Sequence, residues 1–256
     1  MAPLVCSLMC TLAIYHRLFP ALPVVVAANR DEFLARPTRD PFLISTEPRI
    51  FGGQDEVAGG SWLTLSASGL IVGVLNRRVA LPADDLRESR GQLCLELARL
   101  SDAATAAAYL RAVPPAKHNP FNILVADDTH AFVAQNRASA TEVVSLDPGL
   151  HVLTNLDVND HECSRISHSW KFFTQAGDDF LGHGDRGRLR RDLRAVLSDH
   201  LTAVDDRQPT DQLCIHTKGY GTRSSSMIFL EAGGTPEFHH AAGPPCLTDY
   251  ESLAVD

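Results

Sequence analysis

A succession of short apolar runs, each bounded by turn residues, constrains this chain more than any other feature. "CTLAIY" and "LPVVVAA" are rich in strand formers and too short for helices. They read as two strands joined through a connection holding Arg17 and Pro20, with "NRDE" delivered at the end of the second. "GGSWLTLSASGLIVGVLN" reads as a hairpin, with strands near Trp62–Leu65 and Leu70–Leu75, a Ser68-Gly69 turn and Asn76 at its exit. Leu93, Leu97 and Leu100 recur at helical spacing. Ser101-Asp102 then caps an alanine-rich helix that runs to Val113 and stops at Pro114-Pro115. Strands resume at "FNILVAD", "AFVAQ" and "GLHVLTN". A helix follows on Leu189, Leu193, Val196 and Leu197, and "SSMIFLEAGG" with "PEFHH" closes the chain as a hairpin. This order predicts sheets packed on one another with helices outside. No repeat, low-complexity segment or long linker divides it, so one domain is expected.

Composition narrows the partners. With 31 acidic against 23 basic residues, a net charge of −8 and no Lys/Arg-rich run, the chain lacks a nucleic-acid footprint, and a small-molecule substrate or an apolar ligand fits better. Nothing in the sequence specifies an oligomeric state. The 6 cysteines, Cys6, Cys10, Cys94, Cys163, Cys214 and Cys246, form no CxxC pair and no disulfide or zinc spacing, so reduced thiols in a cytoplasm are expected. Among the 11 histidines, His161-x-Cys163 and His239-His240 are too sparse for a ligand set, His118 stands apart, and no metal is expected. The apolar start lacks a positive n-region and is interrupted by Tyr15, His16 and Arg17, which argues against a signal peptide, and no run is long enough for a membrane span.

The stretch "LMCTLAIYHR" places Met9 directly before Cys10 and a strand. A chain that begins at Cys10 carries a thiol and a free α-amine on one residue, and such an amine titrates near ~7.7–8.0, suited to act as a base. Cys10 then attacks a carbonyl carbon while its amine takes the thiol proton; the plain alternative is a small buried core cysteine. Asp31 at a strand end can orient that pair, with Arg30, Asn29 and Glu32 beside it; alternatively "NRDE" is a charged turn capped by Asn29. Asn155 and Asn76 each end an apolar strand, where a fixed amide can donate to an oxyanion or simply form a turn. Arg223, after the glycines of "GYGTRSSS", can organise Asp31 or a substrate carboxylate bidentately, or stand exposed in a turn. "GGSWL" reads as architectural, with Gly59 and Gly60 in a tight turn and Trp62 as a buried anchor.

Taken together, "MCTLAIY", "AANRDEFLARP", "GGSWL", "GVLN", "HNPFNILVAD", "VLTN" and "GYGTRSSSMI" resemble the NRDE family, also called the transport-and-Golgi-organisation family, over nearly the whole chain. The resemblance implies an α+β fold similar to the N-terminal nucleophile hydrolases, a four-layer αββα sandwich of two antiparallel sheets between helices. It maps the family's Met-Cys start onto Met9-Cys10. Residues 1–9 are then an N-terminal extension, either a mis-assigned start or a short pro-segment, and residues 10–256 are the family's single domain. The cysteine branch of that superfamily, with penicillin V acylases and bile-salt hydrolases, implies roles for Cys10, Asp31, Asn155 and Arg223. Those acylases usually carry an arginine where this chain has Ala28, and Arg30 either takes its place or points elsewhere.

Two functions follow from the resemblance. The first is an N-terminal-cysteine amidohydrolase that cleaves a non-peptide C–N bond of a small acylated amine through a thioester, with no cofactor. The second is a non-catalytic carrier or trafficking factor whose cleft binds haem or an acyl lipid, since members of the family are tied to haem and lipid handling.

Overall fold

The computed structural model describes residues 10–80, 82–201 and 212–255; the expectations for residues 1–9 lie outside the described residues. The first sheet is built on β1 (Thr11–Phe19), β2 (Leu22–Phe33), β10 (Gly149–Leu153), β11 (Tyr220–Leu230), β12 (Glu237–Ala241) and β13 (Glu251–Leu253), in the order β10-β1-β2-β11-β12-β13. The second contains β3 (Thr38–Thr46), β4 (Arg49–Asp55), β5 (Leu63–Ser66), β6 (Ile71–Asn76), β7 (Phe121–Ala126), β8 (Ala131–Asn136) and β9 (Thr141–Ser145), each beside its neighbour in sequence. Every ladder within the two sheets is antiparallel. The helices are α1 (Arg90–Leu97), α2 (Ala103–Ala112), α3 (Ser164–His183) and α4 (Arg186–Leu197).

Strand alternation sorts the apolar residues into layers. In β1, Leu12 and Ile14 point between the sheets and meet Leu65, Ile71 and Leu124 of the second. Their neighbours Ala13 and Tyr15 point outward onto Phe173 of α3 and Leu193 of α4. On the far side, Val72, Ile123 and Val125 carry α1 and α2 through Leu93, Leu97 and Leu110. The result is the expected αββα sandwich. Because both faces of the central strands are covered, their sequences read as near-continuous apolar runs, and each fully buried Leu, Ile or Phe contributes roughly 1.5–3 kcal/mol. Among the described residues, no helix is long and apolar enough to cross a membrane.

The local expectations hold for the Ser68-Gly69 hairpin, for α1 and for α2, whose first turn is capped by the Asp102 carboxylate accepting the Thr105 N–H at 2.7 Å. Three features differ. Helix α3 was not expected, because its inward stripe is broken by Arg165, Ser169 and Gly177. Gly177 packs tightly there, since a Cβ would stand 3.0 Å from the Tyr15 ring, and the Tyr15 hydroxyl donates to the Phe173 carbonyl at 2.6 Å. Strands β3, β4, β9 and β13 were also missed, and most of these lie at sheet edges, where side chains face water. Finally, "NRDE" is not a turn at a strand end. Strand β2 continues through it to Phe33, paired to β1 at Thr11↔Asn29 and to β11 at Arg30↔Ser224 and Asp31↔Thr222.

Candidate active site

Because "NRDE" is strand, its side chains alternate between two environments. Arg30 points between the sheets, and Asn29 and Asp31 point into the α3/α4 layer. The register Thr11↔Asn29 sets Cys10, one residue ahead of β1, level with Arg30 on the inter-sheet side. There Cys10, Ala28, Arg30, Trp62, Leu75 and Ser226 line a narrow cleft whose free volume is about 20 Å³, room for roughly one water molecule. The Cys10 thiol is held at the backbone of Asp31, whose N–H approaches Sγ at 3.4 Å while Sγ lies 3.6 Å from the carbonyl oxygen. With Cys10 in peptide linkage, burial and then the Asp31 charge push the thiol up to about 12, against the opposing pull of that N–H and of Arg30. It is a neutral thiol at pH 7.

Arg30 forms the wall opposite. Its guanidinium lies 4.3 Å from the Trp62 ring centroid, Nη1 donates to Thr38 Oγ1 at 3.2 Å, and Nη2 stands 3.7 Å from Glu32 Oε2. Trp62 is half-buried rather than an interior anchor. It can lie this close to β4 because Gly53 has no side chain: a Cβ there would stand 2.3 Å from the indole. Gly59 takes the positive φ of 67° that the tight turn before it requires.

Asp31 occupies the other face. Its carboxylate is sealed from solvent, with Oδ2 at 3.3 Å from Arg165 Nη1 and Oδ1 accepting from Thr222 Oγ1 at 2.6 Å. The same guanidinium nitrogen donates to Thr11 Oγ1 at 3.1 Å and so ties α3 to the residue next to Cys10. Burial raises the Asp31 carboxyl to about 6 while Arg165 and Thr222 pull it down, which leaves it ionised at neutral pH. Asn29 is structural: Nδ2 donates to the carbonyls of Leu197 and Leu213 at 2.8 and 2.9 Å.

The remaining expected residues divide. The register Leu12↔Leu153 carries Asn155 level with Cys10, and its buried Oδ1 has no hydrogen-bond partner among the described residues. The turn that carries it is fixed by Arg77, which donates to Asn122 Oδ1 at 2.8 Å and the Leu156 carbonyl at 3.0 Å and pairs with Asp157; Asn122 in turn donates to the Thr154 carbonyl at 2.8 Å. Asn76, immediately before Arg77, is exposed at the end of β6 and is not among the residues lining the cleft. Arg223 sits in the bulge of β11 between Thr222 and Ser224, and it is Arg165, not Arg223, that holds the Asp31 carboxylate.

Arg165 and Thr222 were missed from the sequence. The available signals were an arginine on the inward stripe of α3 and a threonine next to the selected Arg223. A further polar chain also escaped notice. Ser226 Oγ lies 2.9 Å from His240 Nδ1, and His240 Nε2 lies 3.3 Å from Asp40 Oδ1; burial lowers the His240 pKa and keeps the ring neutral at pH 7.

The family model described as Transport and Golgi organisation 2 matches residues 9–241. The Transport and Golgi organization protein 2 homolog of Bos taurus is 28% identical, over 85% of this chain and 86% of its own. The Homo sapiens homolog is 26% identical over the same shares. Among solved structures, the Caenorhabditis elegans N-acylethanolamine-hydrolyzing acid amidase ortholog superposes with a TM-score of 0.56 at 14% identity, covering 85% of this chain and 92% of that one. A mutant of conjugated bile acid hydrolase from Clostridium perfringens gives 0.55 at 10% identity over 96% of each chain. At these identities the likeness shows a shared fold alone, the αββα sandwich described above.

Proposed function

The chain belongs to the Transport and Golgi organisation 2 family, and from that premise we propose that it is an amidohydrolase that cleaves the C–N bond of a small acylated amine through a thioester on Cys10. The observation that carries this reading is the Cys10 thiol facing the inter-sheet cleft with the Arg165-held Asp31 carboxylate one strand away. The two fold neighbours are named for hydrolysing N-acylethanolamines and conjugated bile acids, which supports the reaction class.

The chemistry requires release of the residues ahead of Cys10. The freed α-amine, titrating near ~7.7–8.0, takes the thiol proton as Sγ bonds to the substrate carbonyl carbon. Asp31 orients the resulting ammonium, and Asn155 donates to the oxyanion, an interaction worth roughly 2.7–4 kcal/mol. As the C–N bond breaks, the ammonium returns its proton to the departing amine. Water then adds to the thioester with the α-amine as base, and the acid and the free thiol are regenerated. Entry of an acyl group larger than the present free volume of about 20 Å³ requires the cleft to widen.

The test compares protein beginning at Cys10 with protein retaining residues 1–9, by intact mass and by hydrolysis of acyl amides. The Cys10 form is expected to turn over and to show a thioester adduct, with a rate that rises between about pH 6 and 8 as Asp31 and then the α-amine lose protons. Cys10→Ala should lose at least ~10³-fold. Activity that survives Cys10→Ala but not Ser226→Ala would move the nucleophile to the Ser226–His240 pair. If native protein keeps residues 1–9 and Cys10 reacts with iodoacetamide no faster than buried Cys94, the hydrolase reading is abandoned, and the cleft becomes that of a carrier for haem or an acyl lipid.

A further inference from the structure

Far along the chain, four residues with no motif spacing converge. His200 follows the end of α4, Cys214 and His216 precede β11, and Cys246 lies in the turn between β12 and β13. One donor atom from each lies within 4.8 Å of all the others. The two sulfurs are 3.6 Å apart, and His216 Nε2 stands 3.5 Å from Cys214 Sγ and 3.2 Å from Cys246 Sγ. A zinc ion with bonds of about 2.3 Å to sulfur and 2.0–2.1 Å to nitrogen, at tetrahedral angles, sets its ligands about 3.8 Å apart for two sulfurs and about 3.6 Å for sulfur and nitrogen. The three edges of the Cys214–His216–Cys246 face are those of such a tetrahedron, slightly contracted, and the His200 donor lies within 4.8 Å of each corner. They are far longer than a disulfide bond of about 2.05 Å, and both thiols are free.

The donors also sit on ordered backbone. Asn29 of β2 clamps Leu197 and Leu213 together, and the Cys214 N–H donates to the Asp199 carbonyl at 2.9 Å. His200 Nδ1 lies 3.1 Å from the Cys214 carbonyl oxygen. The turn carrying Cys246 is held by Arg194, which donates to the carbonyls of Pro245 and Thr248 at 3.0 and 3.2 Å.

We propose that His200, Cys214, His216 and Cys246 bind one zinc ion as a closed, structural Cys₂His₂ site. Four protein ligands leave no open position for a substrate or water, so the ion cross-links three segments and performs no chemistry itself. Its placement bears on the cleft region. Ile215, between two ligands, donates its N–H to Thr222 Oγ1 at 2.9 Å, and that hydroxyl donates to Asp31 at 2.6 Å. The ion therefore braces the segment that orders Asp31. The zinc site stands independently of the hydrolase reading.

Full-length protein purified under reducing conditions is expected to carry about one zinc per chain by elemental analysis. After exchange, it should take up one cobalt with the intense visible absorption of tetrahedral thiolate ligation. Cys246→Ser and the exposed-ligand variant His200→Ala should lose the stoichiometric metal, and Cys10→Ser should keep it. Should Cys246→Ser fail to fold, cobalt titration of the folded wild type against a competing chelator decides, with one tight equivalent expected. The proposal is overturned if reduced, folded protein takes up no zinc or cobalt. It is equally overturned if protein from reducing cells is lighter by two hydrogens through a Cys214–Cys246 disulfide, or if metal survives intact in both ligand variants.

Discussion

Two aspartates are buried on opposite sides of the sandwich, and their partners differ in kind. Asp127, beside the α1/α2 layer, is satisfied by main chain alone: its carboxylate accepts the N–H groups of Ala103, Thr129 and His130 at 2.7 to 2.8 Å, joining the β7–β8 turn to the start of α2. Asp31, beside the α3/α4 layer, is held by the side chains of Arg165 and Thr222, which arrive from α3 and β11. A carboxylate bound by nearby main chain completes a turn and a helix end. One held by a buried guanidinium costs desolvation of two charges, a cost that hydrophobic packing in the same space avoids. The rest of the α1/α2 layer is packed that way, with Leu93, Leu97, Ala106 and Leu110 against Val72 and Ile123. The contrast marks the α3/α4 side as the one whose polar interior positions a site.

The largest effect should come from splitting the Asp31 pair. Arg165→Met leaves a buried carboxylate without its cation and is expected to cost about 3–5 kcal/mol of stability at pH 7. Part of that loss should be recovered at acidic pH, where Asp31 takes up a proton. Leu110→Ala in α2 is expected to cost a similar amount, about 2–5 kcal/mol, by opening a cavity. Urea denaturation measures both. The two layers separate in turnover per folded molecule, which should fall in Arg165→Met and hold in Leu110→Ala; equal turnover in both would erase the distinction.

The pH dependence of stability sharpens the comparison further. Asp31 sits at about 6 in the folded chain, chiefly through burial, against ~3.9 when unfolded. Between those values the folded state holds a proton that the unfolded chain has released. The contribution of this group to stability is therefore full below about pH 4 and lost as pH rises to about 6, roughly 3 kcal/mol in all. Denaturation midpoints of wild type and Asp31→Asn across that window should diverge, since the variant lacks the slope. Parallel curves would mean that Asp31 is ionised throughout and held by Arg165 more strongly than its burial opposes.

How much of this was legible follows the same physics. Central strands such as β1, β2 and β7 announce themselves because both faces are buried. Edge strands β3, β9 and β13 expose polar side chains and read as loops. Within the candidate site, Cys10 and Arg30 could be selected because they lie near one strand pair in sequence. Arg165 could not, because its partner Asp31 is 134 positions away and α3 carries no clean apolar stripe to reveal its inward face. The same limit hid the cysteine–histidine cluster, whose members are drawn together by the ends of α4, β11 and β12 and by no local spacing.

Thr222→Val is isosteric and removes one hydroxyl from the Asp31 network. A hydrogen bond to a charged group contributes about 1.5–3 kcal/mol, and the Ile215 N–H also loses its acceptor. Stability should drop by that amount, and the Asp31 pKa should climb above its present value, because the lost bond favoured the ionised form. Carboxyl titration by NMR reads the second effect; an unmoved pKa would show that Arg165 alone governs the charge.

The smallest effect is expected at Asp127. Asp127→Asn keeps an oxygen acceptor for the Thr129 and His130 N–H groups but turns an NH2 towards the Ala103 N–H, so the first turn of α2 loses both its acceptor and the negative charge at its N-terminus, a cost of about 1–3 kcal/mol. Hydrogen exchange of the first turn of α2 should quicken by the corresponding factor, with no change at β2 or α3. A loss as large as that of Arg165→Met would mean that charge, and not the source of its partners, decides what a buried aspartate is worth in this fold. A local loss confined to α2 leaves Asp31 as the carboxylate whose surroundings were built for positioning.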